Sequence, residues 1–351
     1  MKQIIYMMTL SVLLFAGCSK HPAAPEAPEQ YDRYIFFSQG VETKASLIEN
    51  KANLDGQTFG VVGFKYDNTS SWDAVKTSAT PNVFRDATGN LVETEMLTCS
   101  ADGTATYAPI QGWSNTKKFS FFAYYPFENQ NVTLVNLDGT PYTGGTPAIK
   151  YTMNLNSFQS SMVDVMTAPA QTDKYWNSAS DNNVNNSDVR FQFTHRLSSL
   201  GLNVKNSTVG NITITNVIMV VDGIKYTSAV IPLNDTAEQY TEPQSSLLQR
   251  FALALTDEEM SVVATGKEVA DKLIFIPQTD NVSITLTINY QRQYGESNPT
   301  YDSFTTTTPL TTSLLKGIKN IIYVNFMDSN TYVMIRSNEW DDGPNVPHEF
   351  N

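Results

Sequence analysis

The chain has 351 residues, with 35 Asp+Glu against 23 Lys+Arg and a formal net charge of −12. That balance excludes nucleic-acid partners, whose phosphates demand a basic surface. Two cysteines and three histidines leave little material for zinc clusters or Cys-His catalysis.

Met1 to Cys18 is read first, in chain order. Lys2 precedes a mostly apolar run, Ile4 to Phe15, which closes with Ala16-Gly17-Cys18; this order is that of a secretory signal. The run is too short to span a bilayer, which takes roughly 20 apolar residues. The segment resembles a bacterial lipobox, although Phe15 stands where Leu is usual. The resemblance implies cleavage between Gly17 and Cys18 and lipidation of Cys18. Acyl chains bury about 0.8 kcal/mol per methylene, and two suffice for stable anchoring. Residues 1–17 are therefore expected to be a lipoprotein signal peptide, and the mature protein to be tethered to the outer membrane without crossing it.

Residues 18–30 carry Pro22, Pro25 and Pro28 among alanines and glutamates, a composition that stays extended and forms a tether. From Tyr31 onward, short runs of β-branched and aromatic residues are punctuated by Gly, Asn, Asp and Pro, the pattern of strands. Strands are expected at Tyr34 to Gln39, Thr58 to Lys65, Glu95 to Cys99, Phe119 to Tyr125, Ala148 to Met153 and Val163 to Thr167. The polar stretch Asn177 to Asp188 reads as a loop. Cys99 lies in an alternating segment and is expected to be a small core residue; with Cys18 lipidated it has no partner for an internal disulfide.

A second domain is expected to open with Val189 to His195, where Val189, Phe191 and Phe193 fall on one face. Further strands are expected at Leu197 to Lys205, Asn211 to Val221, Leu273 to Pro277, Val282 to Tyr290, Phe304 to Thr308, Ile321 to Phe326 and Tyr332 to Trp340. Leu247 to Leu255 and Asp257 to Ala264 are candidates for short helices. Alternation in so many short strands describes antiparallel sheets with one buried face, and two sets of them describe two β-sandwiches in series, 31–188 and 189–351. The fold class is all-β.

No phosphate-binding glycine loop, HExxH or GxSxG motif is present, and no metal or cofactor is expected. Asp341-Asp342 reads as a solvated turn rather than a catalytic pair, since adjacent carboxylates on an extended chain point apart. His195 is expected to fix the crossover between the domains by hydrogen bonding. In Phe119 to Pro126, alternation sends Phe119, Phe121, Ala123 and Tyr125 one way, as in a core strand. An enzymatic role is not expected.

The order of several segments resembles the fimbrillin family of the Bacteroidetes. They are the lipobox, Ile35-Phe36-Phe37-Ser38 with Val41-Glu42-Thr43-Lys44-Ala45, and Phe59-Gly60-Val61-Val62-Gly63-Phe64. Phe119 to Pro126, Phe191 to Ser198 and Trp340-Asp341-Asp342-Gly343 complete the series. The resemblance implies two transthyretin-like β-sandwich domains and a structural, adhesive pilin role at the cell surface. It further implies proteolytic removal of an amino-terminal strand and assembly with other fimbrial subunits, as a homo- or hetero-polymer, by strand addition, in which main-chain hydrogen bonds give affinity and pockets give specificity. On these residues, Tyr34, Phe36 and Ser38 belong to the strand released. Cleavage is expected at Lys44-Ala45, with Arg33 the second candidate, and the Tyr332 to Trp340 region is a source of donor strand. A ligand on a host or bacterial surface is a further expected partner. The alternative is a monomeric glycan-binding surface lipoprotein using Trp72, Trp113 or Trp176; a secreted hydrolase would need a cleft of convergent carboxylates.

Overall fold

The computed structural model describes residues 34–41, 55–127, 129–153, 162–176, 187–234, 236–241, 247–253, 261–262 and 267–339, all within one unit, Asp32–Asn351. The first half contains β1 (Phe37–Val41), β2 (Thr58–Asp67), the four-residue helix α1 (Trp72–Val75), β3 (Glu95–Cys99), β4 (Thr104–Thr106), β5 (Lys117–Tyr125), β6 (Val132–Val135), β7 (Ala148–Thr152), β8 (Met166–Thr167) and β9 (Gln171–Lys174). Then follow β10 (Val189–His195), β11 (Ser198–Asn206), β12 (Asn211–Ile224), β13 (Ser228–Pro232), β14 (Gln239–Thr241), β15 (Leu247–Leu253) and β16 (Ser261–Val262). The last strands are β17 (Lys267–Phe275), β18 (Gln278–Gln293), β19 (Thr300–Thr305), β20 (Leu310–Leu314), β21 (Ile318–Phe326) and β22 (Thr331–Glu339). Among the described residues, α1 is the one helix and the other elements are all β-strands.

The first sheet runs β2-β3-β4-β1-β10-β8-β5-β9, and pairing of β2 with β5 closes seven of its strands into a barrel. Period-two alternation explains how it closes. Phe59 and Val61 on β2, Phe119, Phe121 and Ala123 on β5, and Val189, Phe191 and Phe193 on β10 all point into one core with Ile35, Phe37, Leu97 and Cys99. The alternate residues Val62, Phe64, Phe122 and Tyr124 face outward into a second core, against the sheet β14-β13-β7-β6. Trp72 of α1 fills that layer, with its ring 4.7 Å from Phe64 and 5.0 Å from Phe122.

The sheets β17-β11-β21-β22 and β15-β12-β18-β19, the latter with β16 and β20 attached, face each other as a sandwich. Tyr290 of β18 meets Phe326 of β21 at 4.6 Å, and Phe251 of β15 meets Phe275 of β17 at 5.9 Å. On β18 the alternation is plain: Val282, Ile284, Leu286, Ile288 and Tyr290 are buried. On β12 the inward set changes parity, from Ile212 and Ile214 to Val217, Met219 and Val221. A register shift against β18 between Ile214 and Asn216 accounts for this, because one extra residue moves the following side chains to the other face.

Two features differ from sequence expectation. Leu247–Leu253, a candidate helix, is strand β15, paired antiparallel with β12; burial of Phe251 and Leu253 follows a period of two, which a short apolar run does not distinguish from a helical face. Ser261–Val262, within the other candidate helix, is strand β16 on β12. The pairings also cross the middle of the chain. Val189–His195 lies in the barrel between β1 and β8, and β13 pairs with β7.

Candidate functional site

The amino-terminal strand occupies an internal place in the barrel. β1 runs parallel to β10, with Phe37 opposite Val189 and Val41 opposite Phe193. On its other side Phe37 and Ser38 pair antiparallel with Ala105 and Thr104 of β4. Ahead of the ladder, Ile35 N donates to Gln111 O at 2.9 Å, and the Tyr107 hydroxyl donates to Ile35 O at 3.0 Å. Gln39 N donates to Gly103 O at 2.9 Å, so both edges of the segment are hydrogen-bonded.

Alternation divides the side chains of this segment sharply. Ile35, Phe37 and Gln39 are 0%, 3% and 1% exposed, whereas Tyr34 and Phe36 are 53% and 61% exposed. The sequence-chosen residues Tyr34, Phe36 and Ser38 therefore form the outward row, and the row that fills the barrel is the one between them. Period-two reasoning finds two faces but does not say which is inward when both carry rings. Gly17, Cys18, Arg33, Lys44 and Ala45 lie outside the described residues, as do Trp340, Asp341 and Asp342.

At the other end of the chain, β22 pairs antiparallel with β21 and with no second strand among the described residues. Val333 and Ile335 pack against the core, while Tyr332 on the opposite face is exposed.

The residues singled out for chemistry sit in structural roles. His195, at the end of β10, places Nδ1 2.9 Å from Asp164 Oδ1, with both side chains buried. Arg196 beside it donates Nε to Thr167 Oγ1 and its main-chain N to Val165 O at 2.8 Å. These bonds tie the β10–β11 crossover to β8 and the segment before it, and that part of the sequence reading matches the geometry. Cys99 is buried in the barrel, and burial, reinforced by the nearby Asp55 charge, pushes its thiol up to about 12. A thiol so placed is a packing group rather than a nucleophile.

Trp72 and Trp113 are 6% and 3% exposed, and Trp176 packs half-buried against the barrel core. These three rings form no exposed platform. An open cleft of about 570 Å³ is lined in part by Lys76, Asn136, Asp138 and Asn234. Its polar groups are engaged locally: Lys76 with Asp73 at 2.8 Å, Asn136 with Thr140 at 3.0 Å and Asp138 with Thr140 at 2.6 Å. Among the described residues no group of three or more His, Cys, Asp or Glu is placed to hold a metal ion.

A fimbrial protein from Bacteroides vulgatus of known crystal structure is similar with a TM-score of 0.59 and 19% identity, over 88% of this chain and 100% of its own. Proteins assigned to cell adhesion from Bacteroides ovatus and Bacteroides uniformis match at 15% and 13% identity with TM-scores of 0.48 and 0.45. They cover 89% and 88% of this chain and 99% and 98% of their own. A search of curated proteins finds no relative. The fold likeness rests on the first of these structures; the family rests on a sequence model described as fimbrillin-like, which matches residues 43–340. This chain belongs to the fimbrillin-like family.

Proposed function

We propose that the protein is a structural and adhesive subunit of a cell-surface fimbria, exported as a lipoprotein on Cys18 and assembled by strand addition. In this reading a protease cuts between Lys44 and Ala45, the segment containing β1 leaves, and the vacated place accepts a strand from another fimbrial subunit. The observation that carries it is the seat of β1. Its loss would leave β4 and β10 with unpaired main-chain edges flanking an apolar groove, which is the arrangement that recognises an extended peptide by β-augmentation. Ile35 and Phe37 each bury a side chain worth about 1.5–3 kcal/mol, so an empty groove is unstable until refilled. A cut at Arg33 would fall ahead of β1 and leave the groove occupied.

The test is amino-terminal sequencing of protein recovered from the cell surface, together with gel analysis of its oligomers. Ala45 at the terminus of a ladder of oligomers is the expected result. A monomer that begins at Cys18 overturns processing and assembly alike.

A further inference from the structure

One position in the seat of β1 makes a stricter demand than the rest. The Phe37 ring is surrounded by four others, with centroids at 5.2 Å for Phe121, 5.5 Å for Tyr107, 5.8 Å for Phe191 and 6.2 Å for Phe84. Three of these are contributed by β5, by β10 and by the loop before β3, so the barrel interior is arranged around a ring that only β1 supplies. Two residues earlier, Ile35 is fully buried. Two residues later, Gln39 directs Nε2 to Ser100 O at 3.4 Å, and its Oε1, also buried, has no hydrogen-bond partner. The parallel ladder with β10 fixes the direction in which these three positions are presented.

From this geometry we infer that the Phe37 position is the specificity-determining socket of the groove. The strand that replaces β1 carries an aliphatic residue, an aromatic ring and a side-chain amide at alternate positions, and it comes from a protein of different sequence rather than from a second copy of this chain. The inference rests on the fimbrial reading and names the partner that reading requires.

The chain's own sequence argues for the second half of that statement. One other stretch places an aliphatic residue, a ring and a side-chain amide in this order, Ile321, Tyr323 and Asn325. It lies in β21, which is hydrogen-bonded by β11 on one side and β22 on the other, and is not available for donation. Among the described residues strand β22 pairs on one side alone, but it carries the wrong residues. With Val333 at the Ile35 position, Ile335 falls in the socket and leaves part of the ring volume empty, and atoms lining such a void lose their contacts outright. With Tyr332 in the socket, Asn330 falls at the Ile35 position, where an amide would be buried among apolar groups at the full cost of desolvation.

The experiment uses the full-length chain with a specific protease site inserted between Val41 and Asp55. The cut protein is mixed, under mildly destabilising conditions, with labelled synthetic peptides. These are the native sequence from Tyr31 to Val41, the same peptide with Phe37→Leu or Phe37→Ala, and the sequence Thr331 to Glu339. Because the substitutions are in the peptide, the folding of the barrel is not at issue. The expected order of capture is native, then Phe37→Leu, then Phe37→Ala, with the last roughly a hundredfold to a few thousandfold weaker, as deletion of a buried ring implies, and the Thr331–Glu339 peptide no better than Phe37→Leu. Equal capture of the native and Phe37→Ala peptides overturns the socket while leaving strand release intact. Capture of Thr331–Glu339 as tight as the native peptide overturns the different-sequence partner. If no peptide is captured and the native strand never exchanges, strand release itself fails and the socket with it.

Discussion

His195 and Asp164 meet at 2.9 Å, 31 residues apart in the chain and with both side chains buried. A buried pair of this kind contributes little net stability, because desolvation offsets attraction, but removing one partner leaves the other uncompensated. Asp164→Ala is therefore expected to destabilise the protein by about 3 kcal/mol. Asp164→Asn, which retains an acceptor for the imidazole, should cost clearly less. Urea unfolding of the two variants beside the parent checks the order; equal losses would show that the contact is replaceable packing.

Glu95, on β3 opposite Val61 of β2, has its carboxyl pushed up to about 7 by burial, from an ordinary value of 4.5. The unfolded chain loses this proton near the ordinary value while the folded protein holds it until about 7. The contribution to stability is therefore fully present below about 4.5 and is lost as the pH rises through 7. Glu95→Gln, which is uncharged throughout, should raise the melting temperature at pH 8 and leave it nearly unchanged at pH 4. A parallel pair of melting curves for parent and variant across this range would contradict the assignment.

Much of the strand pattern was legible because burial on one face imposes a period of two. Val282–Tyr290 and Val189–His195 show it without ambiguity, and both are strands with the expected residues inward. What local pattern does not contain is pairing. That β2 closes on β5, that β10 lies beside β1 and that β13 pairs with β7 depend on hydrogen bonds between segments far apart in sequence. The same limit hid the geometry of the candidate site. Tyr34 and Phe36 look as apolar as Ile35 and Phe37, and only the neighbours of β1 decide which row is buried. The partner of His195 was hidden for a related reason: Asp164 falls within the expected strand Val163 to Thr167, but that it meets a side chain 31 residues further on depends on the placement of β8 beside β10.

Gly60 tests the packing of the outer barrel face against its cover sheet. A Cβ at this position would lie 2.6 Å from the Tyr124 ring on the neighbouring strand, and Tyr124 is buried in the core shared with the cover sheet. Gly60→Ala should cost about 1–3 kcal/mol, the range for overpacking a filled core. Combining it with Tyr124→Leu, which removes the ring, should restore part of the loss. Additive effects in that double-mutant cycle would mean that the two residues do not compete for space.

Cys99 provides a reporter for the state of the groove. It lies opposite Ala105 of β4, which in turn lies opposite Phe37 of β1, and its thiol is held at about 12 against an ordinary value of 9.0. Since the thiolate is the reacting species, alkylation at pH 8 should run roughly a thousandfold slower than for a free thiol. In a Cys18→Ser variant, which removes the other thiol, the intact protein should thus resist iodoacetamide and become fully labelled only on unfolding. Departure of β1 would open the wall beside Cys99, admit water and lower the desolvation that suppresses the thiolate. Cutting between Val41 and Asp55 and displacing the strand should therefore restore labelling by at least tenfold while the circular dichroism spectrum remains that of β-sheet. Labelling that stays slow after the strand has demonstrably left would mean that the barrel closes over the gap between β4 and β10, and a barrel that closes by itself has no place for an incoming strand.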